Sequence, residues 1–192
     1  MKALLFLILL SIPLFADHQS IIIKALKNEE LNKEQRVELA TLYLTQTDLF
    51  LKTLQGELPP NLQETRNILI KNLKSPPSED AGVNRIGAAV GWFTQYKGEH
   101  LTSYPIISLL RKGSPAEQAK MKLGDVITAA EGVSLHGPSS RNKFINLTLI
   151  WPSSTPLNLE IKRNTRQPEL DERILRDKKV KVTVTLSKKD FK

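Results

Sequence analysis

The stretch from Gly113 to Ile127 constrains the fold of this chain more than any other. Gly113 suits the tight turn that ends a preceding strand. Ser114 can cap a following helix, and Pro115 fits its first position, where a missing N–H costs nothing. Ala116 and Ala119 are small enough to let that helix lie close to a sheet. Leu123 is expected to supply an apolar plug, and Gly124-Asp125 the turn into the next strand. A strand, a one-turn helix, a turn and a second strand are therefore written into fifteen consecutive positions.

The flanking sequence supplies more strands. Ile86 to Phe93 is apolar with Gly87 and Gly91 inside it, and Tyr104 to Leu110 reads as a buried strand. Val126 to Ala130 is a short apolar run, and Leu157 to Lys162 alternates. Val180, Val182, Val184 and Leu186 fall on one face of a last strand. Between them, Ser139 can cap a helix running to Ile150 that carries Phe144, Ile145, Leu147 and Leu149. Trp92 and Trp151 are expected in the core, as is usual for a Trp at the end of a strand or helix.

Together these residues resemble the PDZ domains of bacterial HtrA-family and tail-specific proteases, over Arg85 to about Leu186. The chain carries Lys120-Met121 where the family has Ala-Gly, and Glu131-Gly132 where it has Asn-Gly. The resemblance implies an α+β chain whose second half is a five-to-six-stranded, partly open barrel with two helices. It also implies a ligand site: a loop whose N–H groups hold a C-terminal carboxylate, followed by a strand that takes the peptide as an added strand. By position these are Ile86, Gly87, Ala88, Ala89 and Val90, with Ala89 where the loop's second glycine stands. Arg85 is placed to assist with a carboxylate. Phe144 and Thr148, one helical turn apart, are expected to line the other wall of the groove.

The first half differs in character. Met1-Lys2 followed by the apolar run Ala3–Phe15 and then Ala16 has the layout of a secretory signal peptide over residues 1–16. Residues 17–74 read as a helical region of about three helices. One carries Ile21, Ile22, Ala25 and Leu26 at helical spacing. A second starts at an Asn32/Gln35 capping box and runs through Leu54 to Gly56. The third is capped at Asn61. The segment around Leu39 to Leu54 resembles one tetratricopeptide-type helix pair, with no second copy at that period. Residues 75–84, with Pro76-Pro77, read as a linker. They lead into the PDZ-like segment at 85–187 and a basic tail at 188–192.

The net charge of +8 is spread along the chain and suits a soluble basic surface. Export makes nucleic acid an unsuitable partner, whereas peripheral contact with an anionic membrane or an acidic protein is physically compatible. With no cysteine, disulfides and thiolate metal sites are excluded, which fits a periplasmic setting. His18, His100 and His136 lack metal-ligand spacing, so no metal or cofactor is expected. No nucleophile elbow or phosphate-binding loop occurs. The expectation is a non-enzymatic, exported adaptor or scaffold that binds peptide segments of envelope proteins. A subunit of a membrane secretion assembly, anchored by an uncleaved signal, and a regulatory partner of a separate protease remain as alternatives.

Overall fold

A computed structural model of the chain describes residues 18–74, 85–97, 100–163 and 179–188. The expected signal peptide (1–16), the linker (75–84) and the tail beyond Lys188 lie outside these residues.

The helical half opens with α1 (18–26), which ends at Asn28 in the left-handed conformation (φ 59°). Then α2 (Lys33–Thr45) starts on the expected capping box: Gln35 N–H donates to Asn32 Oδ1 at 2.9 Å, and Asn32 N–H donates to Gln35 Oε1 at 3.1 Å. The helix does not run through to Leu54. It breaks at Gln46, and α3 (Thr47–Leu54) follows. The hydroxyl of Thr47 donates to the Tyr43 carbonyl at 2.8 Å, the acceptor that a continuous helix would reserve for the Thr47 N–H. The break leaves the Tyr43 and Phe50 rings edge to face, with centroids 5.2 Å apart. Pro59 and Pro60 lead into a 3₁₀ turn (Pro60–Leu62) containing Asn61, and α4 (Gln63–Lys74) continues from it. Asn61 therefore sits inside the turn rather than capping the helix.

The second half is a six-stranded antiparallel open sheet, which makes the whole chain α+β. Its strands are β1 (Ala88–Lys97), β2 (His100–Leu110), β3 (Val126–Ala130), β4 (Val133–Ser134), β5 (Leu157–Lys162) and β6 (Lys179–Val184). The order is β1-β2-β3-β5-β6, with β4 paired to β3, so β1 and β6 form the two edges among the described residues. Two helices join them: α5 (Pro115–Gln118) and α6 (Ser140–Ile150).

The Gly113–Ile127 stretch folds as its residues dictate, with one correction. The Ser114 hydroxyl accepts the Glu117 N–H at 3.1 Å, and Pro115 opens α5. The plug, however, is Met121, which is 2% exposed, while Leu123 is 65% exposed. Lys120 takes the left-handed conformation (φ 61°), so it is the residue standing in a glycine-type position. That turn redirects the chain and points Met121 inward. Asp125 is fully buried, accepts the Lys122 N–H at 2.8 Å and pairs with Arg163 at 2.6 Å.

The two halves share one core. A continuous cluster of buried apolar side chains runs from Ile21, Leu42 and Phe50 through Phe144, Leu147 and Trp151 to Ile107, Ile161 and Val184. The middle layer is α6, which touches β1 and β2 on one side and α2 and α4 on the other. Polar ties cross the same boundary. Lys143 Nζ donates to the Leu44 carbonyl at 2.8 Å, and the Leu31 N–H donates to Thr155 Oγ1 at 2.8 Å. Asn28 Oδ1 accepts both the N–H (2.6 Å) and the hydroxyl (2.9 Å) of Ser153. At the β3–β4 turn, Glu131 adopts φ 48°. Its carboxylate accepts the Asn158 N–H and Nδ2 at 2.7 and 3.1 Å and lies 3.6 Å from Arg36 of α2.

Candidate functional site

The site begins at the turn before β1. Ser187, Ala116 and Arg111 donate their N–H groups to the carbonyls of Arg85, Ile86 and Gly87 at 2.9, 2.9 and 3.1 Å. A trans peptide unit carries its N–H opposite its C=O. The N–H groups of Ile86, Gly87 and Ala88 therefore face away from those three partners. Gly87 has φ 70°, which a side chain would disfavour, whereas Ala89 has no positive φ and belongs to the strand.

Arg85 is built into the frame. Its Nε donates to the Ser187 carbonyl at 2.6 Å. Its Nη1 donates to the carbonyls of Thr148, Leu149 and Trp151 at 2.9, 3.4 and 2.7 Å. The first two carbonyls belong to the last turn of α6 and the third to its C-cap, where backbone acceptors lack helical partners and the helix dipole favours a cation. Arg85 thus caps α6 and anchors the turn to it.

Strand β1 leads away from this turn along an open edge of the sheet. The Gly87 carbonyl meets β2 through Arg111, so alternate residues of β1 (Ala88, Val90 and Trp92) turn their backbone groups outward. The register slips between Ala89 and Val90, with the extra residue on β2, and β1 itself stays regular. Helix α6 lies beside the strand. Arg141, in its first turn, donates from Nε to the Val90 carbonyl at 2.6 Å. Its guanidinium carbon lies 4.3 Å from the centre of the Trp92 ring.

The structure brings Arg85, Ile86, Gly87, Ala88, Ala89 and Val90 together as one turn and strand start. Ile86, Gly87, Ala88 and Val90 are buried, and Ala89 is half-buried. Phe144 and Thr148 lie on α6 and are fully buried, Phe144 within the shared core and Thr148 with its hydroxyl donating to the Ile145 carbonyl at 2.6 Å. Trp151 is a core residue, as expected, but Trp92 is 48% exposed on the edge strand. Sequence reasoning missed Arg141. One signal pointed to it, since a cation in the first turn of a helix opposes the dipole and so needs a partner elsewhere. It also shares a helical face with Phe144 and Thr148.

Among the described residues, no group of three or more His, Cys, Asp or Glu side chains could hold a metal ion. No described helix is long and apolar enough to cross a membrane. No protein-family model matches the chain, and no curated protein matches it either.

Proposed function

We propose that this chain is an exported, non-enzymatic PDZ-like protein that binds an extended or C-terminal peptide segment along β1 and serves as an adaptor or scaffold among envelope proteins. The observation that carries this is the combination at one place of an edge strand, a glycine turn and a flanking helix. An edge strand offers unpaired backbone groups that an incoming strand can satisfy. The turn 85–87 commits its carbonyls to the framework, and the N–H groups of Gly87 and Ala88 face away from it. Successive N–H groups of this kind suit a terminal carboxylate. Export rests on residues 1–16, read from their sequence.

The test is to screen the full chain against a random peptide library, displayed both as free C-termini and as internal segments, and to map the bound state by amide hydrogen exchange. Binding by strand addition slows exchange in Ala88, Val90 and Trp92. If no peptide binds, or a bound peptide protects another surface instead, the proposal fails.

A further inference from the structure

The edge that would receive a peptide is not bare. The outward carbonyl of Val90 is the acceptor that an added strand's N–H would use, and Arg141 Nε already occupies it at 2.6 Å. Resting on the peptide-binding proposal above, we infer that Arg141 is a latch across the β1 edge. Strand addition has to displace it, and it thereby sets the affinity and length of the segment that can bind.

Three observations support a latch rather than a simple packing contact. The Arg141 bond runs from a side chain to an outward backbone group, so it can break without disturbing the β1–β2 ladder. The guanidinium is held from its face by Trp92, itself 48% exposed at the same edge. Arg141 also projects from a helix fixed at both ends: Lys143 ties its start to Leu44, and Arg85 caps its last turn. What an added strand would displace is one side chain, set on a helix tied at both ends. Edge strands are commonly covered to prevent unwanted pairing, and a side-chain cover can reopen.

With the latch closed, the outward groups of Ala88 lie ahead of the occupied Val90 carbonyl, while pairing past Val90 is blocked. Short segments ending at the turn therefore bind without opening it, and longer strands compete with Arg141. A hydrogen bond from a charged donor carries enough energy to lower the affinity of such a strand about 10- to 100-fold.

Arg141→Met keeps the apolar stem and removes every donor. The probe is the tightest long peptide from a random dodecapeptide library, titrated by fluorescence anisotropy against the wild-type chain and this variant. The expected result is binding at least about tenfold tighter to Arg141→Met. Equal or weaker binding to the folded variant overturns the latch and leaves peptide binding standing. If neither protein binds any peptide, peptide binding and the latch fall together. A second measurement needs no variant: Arg141 Nε–H exchange, followed by NMR in the wild-type chain. Exchange should be slow in the free protein and fast with the dodecapeptide bound; continued protection in the complex overturns the latch.

Discussion

Arg163 grips Asp125 with two parallel hydrogen bonds, Nε to Oδ1 at 2.7 Å and Nη2 to Oδ2 at 2.6 Å, at the point where the α5 turn enters β3. The carboxylate side chain is 1% exposed, and the same guanidinium also donates to the Lys120 carbonyl at 2.9 Å. The hydrogen bond to Asp125 raises the Arg163 pKa above its already high ordinary value. Arg163→Met would leave a buried carboxylate without its counter-charge, and we expect a loss of about 3 kcal/mol in urea denaturation. Adding Asp125→Asn to that variant should recover part of the loss. Additive losses in the double variant would show that the two residues do not act as a pair.

Met121 and Leu123 give opposite expectations. Met121→Ala should cost about 2–4 kcal/mol, because it opens a cavity beneath α5. Leu123→Ala should change stability by about 0.5 kcal/mol or less. Thermal melts of both variants decide it, and the reverse ranking would contradict the burial described above.

Lys120→Gly is expected to stabilise the chain by about 0.5–1 kcal/mol. Left-handed backbone costs an L-residue more than glycine's extra unfolded-state freedom takes back. The Lys120 carbonyl that accepts Arg163 is kept in the variant. A lower melting temperature would show that the Lys120 side chain supports the fold in some other way.

Tyr43 supplies a pH dependence. Burial pushes its phenol up to about 12 from 10.0, partly opposed by a hydrogen bond with Asn146. In the unfolded chain the proton leaves near pH 10, whereas the folded chain holds it to about 12. The stabilisation is therefore complete below pH 10 and declines as the pH rises toward 12. Denaturation midpoints at pH 9 and pH 11 should differ by less in Tyr43→Phe than in the wild type. Absorbance at the tyrosinate band should show one phenol titrating late.

Much of the sheet could be read from the sequence because its signals are local. Leu157, Leu159 and Ile161 alternate with polar neighbours and are buried, and Ser114-Pro115 caps α5 through atoms three residues apart. The capping box at Asn32 is local for the same reason. Two errors share a different origin. Leu123 and Met121 are both apolar, and only the φ of Lys120 decides which of them turns inward. The break at Gln46 falls within an apolar pattern that runs on from Leu44 to Leu49 and Phe50, so periodicity does not register it. The site was partly legible: the turn and β1 follow from Gly87 and the apolar run. Arg141 and Trp92 meet only because α6, about fifty positions further along, is laid beside the strand.

The burial of α6 between the sheet and the N-terminal helices has a practical corollary. A fragment cut to begin at residue 85 would expose an apolar wall that α2 and α4 normally shield, so it should clump rather than behave as a tidy module. The helical segment acts as a splint as much as a neighbour. Lys143, tied to Leu44, sits two residues from Arg141, so any load applied to α2 reaches the mounting of the gripping side chain within a single helical turn.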